Sequence, residues 1–204
     1  MAGTPSSKEM IPPPPPPEPA SLWQWFAGAS AGYLFDTEEP MYHIHLGVEF
    51  PSSSAWKSAL FLELGWMETD LATPFPRGLF PNAGPGVTNS DLEVMPLTLN
   101  YKIERQITGG LSFYAGAGAG IAFIDSSTYT SFAFAPAIYG DDSDEVFVAQ
   151  VFAGLVYNVT EAFEIYGGAR WIYLDEPSFA TVPGVQLASF EDDVLGELGF
   201  RVNF

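Results

Sequence analysis

The stretch "MYHIHLGVEF", residues 41–50, decides the fold. Two histidines two apart beside a glutamate have the look of a metal site or a catalytic pair. The same residues also alternate. Tyr42, Ile44, Leu46, Val48 and Phe50 are large and apolar, and they interleave with His43, His45, Gly47 and Glu49. A period of two is the pattern of a β-strand with one face apolar and one polar. The question it raises is which face meets protein or lipid and which meets a polar interior.

Working outward, the period of two returns seven times. It runs through "LWQWFAGASAGYLF" before this stretch and "SALFLELGWME" after it, then "LEVMPLTLNYKI", "LSFYAGAGAGIAFI", "VFVAQVFAGLVY", "AFEIYGGARWIYL" and "VLGELGFRVNF". Each segment has about the 9–11 residues that a tilted strand needs to cross a bilayer. "PSSSAWK", "ERQITGG" and "NVTE" are short connections. "DTEEP" and longer segments at about 70–91, 125–145 and 175–193 alternate with them. Short turns at one end and long loops at the other predict an all-β, eight-stranded antiparallel up-and-down transmembrane barrel over residues 22–204. Residues 1–21, with six consecutive prolines, are expected to be an extended polyproline spacer without a fold of its own.

Composition narrows the chemistry. The absence of cysteine excludes disulfides, thiolate metal sites and a cysteine nucleophile. A net charge of −18 argues against nucleic acid, whose phosphates need Lys and Arg. The start "MAGTPSSKEM" lacks a basic segment followed by an apolar one, so an exported protein is expected here in mature form, its leader removed.

Charge decides the orientation of the faces. One face of the eight segments is almost unbroken in its apolar character. The other carries His43, His45, Glu49, Glu63, Lys102, Glu164, Arg170, Glu197 and Arg201. An eight-stranded barrel has an interior just wide enough to be filled by side chains. Trp, Phe, Tyr and Leu from every strand would overfill it. The apolar face therefore points out to lipid and the charged face points in, where Arg170 and Arg201 are expected to neutralise glutamates. Inward glycines such as Gly28, Gly47 and Gly116 make room for Phe61, Tyr114, Phe152 and Tyr166. Aromatic residues gather near both ends of the strands, Trp25, Tyr101 and Tyr157 at one and Tyr42, Trp66 and Trp171 at the other, as girdles at two membrane interfaces would. Pro96 removes a ladder donor, and a bulge is expected there.

"VMPLTLNYKI", "FYAGAGAGIAF" and "FEIYGGARWIYL" resemble the fourth, fifth and seventh strands of the eight-stranded outer-membrane barrels of Gram-negative bacteria, the OmpA-like, OmpX-like and opacity-protein-like group. The resemblance spans about 22–204. It implies a bacterial outer-membrane location, with the tail and short turns periplasmic and the long loops extracellular. "LGFRVNF" resembles that group's C-terminal strand, which implies that Phe200, Val202 and Phe204 are read by the outer-membrane assembly machinery. The polyproline tail is not part of the common pattern.

The site reading follows from this placement. His43 and His45 would lie about 7 Å apart on one inward face. Opposite them a symmetric "PSSSAWK" turn sets Glu63 across from His45. A metal site needs further ligands at suitable spacing, and none presents itself, so no metal or cofactor is expected. Some barrels of this size hydrolyse or transfer lipid acyl groups with a Ser, a His and an acid. Ser30 faces the same way as the histidines, but no motif supports it, and an enzyme is not expected. Most of the chain's 25 acids fall on the long-loop side, with Arg77 as the only base there. Asp141, Asp142, Asp144 and Glu145 form an acidic rim suited to divalent cations or a cationic partner. "DDSDE" lacks the glycine and spacing of a calcium loop. The expected role is structural or in cell-surface interaction, in outer-membrane lipid. A conduit for small or hydrophobic solutes is the alternative.

Overall fold

The computed structural model describes residues 23–50, 55–75, 86–175 and 192–204. The Pro-rich segment at 1–21 lies outside the described residues. Eight strands follow one another in chain order: β1 (Gln24–Leu34), β2 (Pro40–Phe50), β3 (Trp56–Phe75), β4 (Gly86–Thr108), β5 (Leu111–Phe132), β6 (Ile138–Asn158), β7 (Phe163–Leu174) and β8 (Asp192–Asn203). Each pairs antiparallel with the next, and β8 closes on β1, giving a barrel of order β1 to β8. Closure leaves the membrane-spanning sheet without an edge, as a strand structure in lipid must be.

Alternation sets the two faces. On β2, Met41, His43, His45, Gly47 and Glu49 are buried while Tyr42, Ile44 and Leu46 are exposed. The outer surface carries Leu62, Leu64, Leu97, Leu99, Ile121, Val151, Leu155, Ile165 and Phe200, all exposed. So continuous an apolar belt would aggregate in water and belongs in lipid. Trp25, Tyr101, Tyr157 and Phe204 are exposed at its lower border, and Tyr42, Trp66 and Trp171 at its upper one.

Strand length departs from the sequence expectation. β1, β2, β7 and β8 have 11, 11, 12 and 12 residues, but β3 to β6 have 20, 23, 22 and 21. The segments at about 70–91 and 125–145, expected as loops, are mostly strand. β2 stops pairing with β3 at Met41–Met67, and β7 stops pairing with β6 at Leu174–Val148. Beyond those rungs β3 to β6 continue as a four-stranded sheet, roughly 25–30 Å further along the strands at about 3.3 Å per residue. The third expected loop, about 175–193, lies mostly outside the described residues.

Pro96 makes no bulge. The β3–β4 ladder lacks bridges between Leu64–Leu97 and Met67–Val94 but resumes in the same register. Its ring fills the space over Gly65, where an added Cβ would come within 2.8 Å of Pro96 Cγ. Glycine on one strand thus accommodates proline on its neighbour without a register shift. The register does shift at Gln106–Thr108, beside the turn that holds Gly109 and Gly110. Both glycines have positive φ, 37° and 96°, which a side chain would make costly.

Candidate functional site

The barrel interior is built in layers, and the strand register fixes each one. Nearest the short turns stands Arg201 on β8. Its Nη2 donates to Glu49 Oε2 at 3.0 Å, pairs with Glu164, and lies 3.7 Å from Glu104 Oε2. Lys102 Nζ holds Glu104 Oε2 at 3.2 Å, and the half-exposed Lys57 reaches Glu49 Oε1 at 2.9 Å. The Arg201 guanidinium also sits over the Phe26 ring, 4.7 Å from its centre. Glu104, in a segment read from sequence as a turn, is in fact an inward residue at 2% exposure. Counting by twos from Lys102 reaches it, and that was the signal available.

The second layer centres on Arg170 of β7. It forms a two-pronged pair with Glu63, with Nη2 to Oε2 at 3.1 Å, and donates to Glu197 Oε2 at 2.9 Å. Gln150 accepts from Arg170 Nη1 at 3.0 Å and donates to Glu63 Oε1 at 3.0 Å. Its amide also reaches Thr98 and Asn100, and Asn100 donates to Thr98 Oγ1 at 2.9 Å. The period of two already sets Thr98, Asn100 and Gln150 on the inward face, but their part in the ion pairs needs the register, because a lone Gln, Thr or Asn on a strand carries no chemical signature.

Between the two layers lies a cavity of about 40 Å³, walled by Phe26, Phe61, Tyr114, Phe152 and Tyr166 and by ions from both layers. That volume admits only water-sized guests. His45 is directly opposite Glu63 in the ladder, with its ring packed on Phe61 and Tyr166 at 5.6 and 6.0 Å. His43 Nδ1 is 3.5 Å from Ser30 Oγ, and its Nε2 has no hydrogen-bond partner. A Ser–His pair needs an acid on that far nitrogen to orient the ring. Among the described residues, no cluster of three or more His, Asp or Glu is placed to hold a metal ion.

Above the Arg170 layer the interior turns apolar. Leu34, Met41, Met67, Leu92, Val94, Ala122, Ile124, Val146, Val148, Ile172 and Leu195 form one buried cluster across the barrel. The opposite end opens instead into a polar vestibule of about 380 Å³ bordered by Lys57, Glu161, Glu164 and Asn203. Among the described residues, the lumen is therefore open and polar at the short-turn end and filled by apolar side chains at the other.

The rim acids lie on β6, not in a loop. Asp141 accepts from Ser127 Oγ at 3.2 Å, Asp142 from the Ser143 N–H at 3.0 Å, and Asp144 from the Glu145 N–H at 2.8 Å. Alternation divides the four between the two faces of the projecting sheet. On the outer face the register brings more acids together. Glu68, Glu93 and Asp125 are neighbours in one row across β3, β4 and β5, and Asp70 and Asp91 are neighbours in the next, with Asp141 at its far end. Trp66 Nε1 donates to Glu93 Oε1 at 2.8 Å, tying the girdle to the first row.

At the C-terminus, Phe200, Val202 and Phe204 face outward and are exposed. The Phe204 N–H donates to the Trp25 carbonyl at 2.9 Å, and the Phe200 ring stacks on Phe163 at 6.1 Å.

No protein-family model matches the chain, and no curated protein matches it. Its structure is similar to that of Neisserial surface protein A, at 12% identity and a TM-score of 0.53, over 90% of this chain and 98% of that one. It is also similar to a major outer membrane protein from Thermus thermophilus, at 11% identity and a TM-score of 0.54, over 89% and 99%. The closed order of strands, the apolar exterior and these likenesses agree: the chain has the fold of the eight-stranded outer-membrane β-barrels.

Proposed function

We propose that this is a closed barrel with a cell-surface interaction role, anchored in outer-membrane lipid and presenting an acidic sheet to the exterior. The observation that carries this reading is the projection of β3 to β6 beyond their neighbours, with two rows of carboxylates on its outer face. On this reading the long strands and the acidic rim of Asp141, Asp142, Asp144 and Glu145 are extracellular, and the short turns and tail are periplasmic. The carboxylates recruit divalent cations or a cationic partner through diffuse charge. Phe200, Val202 and Phe204 present themselves to the assembly machinery during insertion.

The apolar plug supports a structural barrel over a conduit, because eleven buried side chains stand between the vestibule and the far end. The unoriented His43 supports a non-enzymatic role, as does the burial of Ser30 away from lipid. Calorimetric titration of the refolded barrel with calcium and with a lysine homopeptide tests the surface reading. Both should bind weakly and lose affinity steeply between about 0.05 and 0.5 M monovalent salt, since exposed charges are screened within about 8 Å at physiological ionic strength. A stoichiometric, salt-insensitive calcium site would replace this reading with a defined binding loop. Stepwise single-channel currents in planar bilayers would favour the conduit.

A further inference from the structure

Among the described residues, the tip of the β5–β6 hairpin differs from the acidic strand segments below it. Residues 126–140, "SSTYTSFAFAPAIYG", carry no charge, although Asp125 and Asp141 stand at their two feet. Phe134 is 80% exposed and Tyr139 76%, with Ile138 and Tyr129 also exposed. Tyr129 and Tyr139 are cross-strand partners with ring centres 5.1 Å apart. Tyr129 lies six residues beyond Phe123, an exposed aromatic at the upper border of the apolar belt with Tyr42 and Trp66, roughly 20 Å along the strand. These rings are therefore not part of the lipid belt of the barrel's own membrane. Exposed apolar clusters rimmed by charge mark interaction sites.

We propose that this tip is a docking element for a protein or peptide whose apolar face is flanked by Lys or Arg. Charge complementarity selects that occupant. Tyr139 and Tyr129 stand two and four residues from Asp141 and Asp125, roughly 7 and 13 Å along their strands, so a partner that covers this ring pair also comes close to the two acids. An anionic lipid surface would be repelled there, and an uncharged apolar partner would gain nothing from the collar. Cationic groups gain twice, by pairing with the carboxylates and by lying over the Tyr129, Phe134 and Tyr139 rings. The rings supply the apolar area, and the acids supply steering and orientation.

The proposal rests on the surface-interaction role but adds an apolar contact that diffuse charge lacks. The test uses the full chain refolded into phosphatidylcholine nanodiscs, with empty nanodiscs as baseline. The probe is a fluorescent amphipathic Leu/Lys peptide, followed by anisotropy, beside a control peptide with Ser in place of Leu. The wild type should prefer the Leu/Lys peptide by about tenfold or more, as burial of two aromatic side chains implies. Phe134→Ser with Tyr139→Ser should remove that preference and leave the salt dependence of the remaining binding unchanged. Asp125→Asn with Asp141→Asn should weaken binding of both peptides and flatten the salt dependence. The tip substitutions are exposed, and heat-modifiable gel mobility reports whether the barrel remains folded. Equal binding of the two peptides by the wild type, or an unaltered preference in the tip variant, overturns the docking tip while leaving the acidic surface standing. No binding of either peptide at low salt overturns both.

Discussion

Glu63 and Glu68 lie on the same strand and in opposite circumstances. Glu63 points into the barrel at 3% exposure, held by Arg170 and Gln150. Glu68 points outward at the base of the projection, directly across from Glu93. The same contrast holds for their regions. Inside, Glu49, Glu104, Glu164 and Glu197 each stand beside Arg170, Arg201, Lys57 or Lys102. Outside, among the described residues, acids on the projection neighbour acids and no Lys or Arg shares the projecting sheet. Solvent explains the difference. A carboxylate taken out of water carries a desolvation penalty of several kcal/mol and needs a partner. One left in water tolerates a like charge at about 5 Å for a fraction of a kcal/mol.

The comparison breaks most visibly at Arg170. Arg170→Ala leaves Glu63 and Glu197 facing each other in a closed interior, and should cost about 3–5 kcal/mol. Denaturant unfolding in detergent or bilayers reads this directly. An unchanged midpoint would mean that the lumen is solvated throughout and that inside and outside do not differ as argued. Packing gives the next contrast. At Gly120 an added Cβ would run into the Leu97 carbonyl, which belongs to the ladder and cannot move aside. At Gly140, on the projection, nothing lies within 4 Å of it. Gly120→Ala should cost about 1–3 kcal/mol. Gly140→Ala should be neutral or stabilising by about 0.5–1 kcal/mol.

Asp193, at the start of β8 where barrel meets loop, sharpens the boundary. Its Oδ1 accepts from the N–H groups of Asp36 and Val194 at 3.0 and 2.6 Å. Its Oδ2 accepts from the N–H and hydroxyl of Thr37 at 2.9 and 2.7 Å. Burial works against its charge, but these donors outweigh it and hold the carboxyl below its usual range. A depressed folded value means stability that is fully present above the unfolded carboxylate pKa, about 3.9, and is lost as pH falls through the folded value. Asp193→Asn should cost about 1–2 kcal/mol at neutral pH. The gap from wild type should close on acidification below about pH 3.9, and a gap that persists there would show that packing and not charge is responsible.

The barrel was legible from the period of two, the alternation of short and long connections and the charges on one face, because lipid and lumen impose opposite chemistry on alternate residues. Ile44 and His45 announce their faces. The projection was not legible. There Thr69 and Ser90 lie on the buried face and Ser127 and Asp141 on the exposed one, yet all four are polar, so the sequence carries no such alternation and a strand reads like a loop. The apolar plug was hidden for a related reason. Val94 and Leu195 face inward, yet apolar side chains at those positions look no different from lipid-facing ones until the register is known. Glu104 was lost to the turn-like composition of its neighbours.

The smallest effect tests the outer half of the comparison. Asp91 lies opposite Asp70 on one side and beside the row of Glu68, Glu93 and Asp125 below. Like charges directly opposed on a sheet are destabilising, so Asp91→Asn should stabilise the projection by about 0.2–1 kcal/mol at low salt. Global unfolding is governed by the barrel and would miss this. Amide exchange on the residues of β4 and β5 beyond the girdle follows local opening and resolves it. The sign of the salt dependence separates the two regions. At about 1 M salt the screening length is about 3 Å, less than the cross-strand spacing, and the advantage of the neutral amide over the aspartate should disappear. The Arg170 layer, closed to solvent, should lose little at the same salt. If Asp91→Asn slows exchange equally at both ionic strengths, the aspartate is costly for reasons of packing and the rows are not a repelling surface. If it speeds exchange, the carboxylates are already bridged by a bound cation, and the projection resembles the lumen after all.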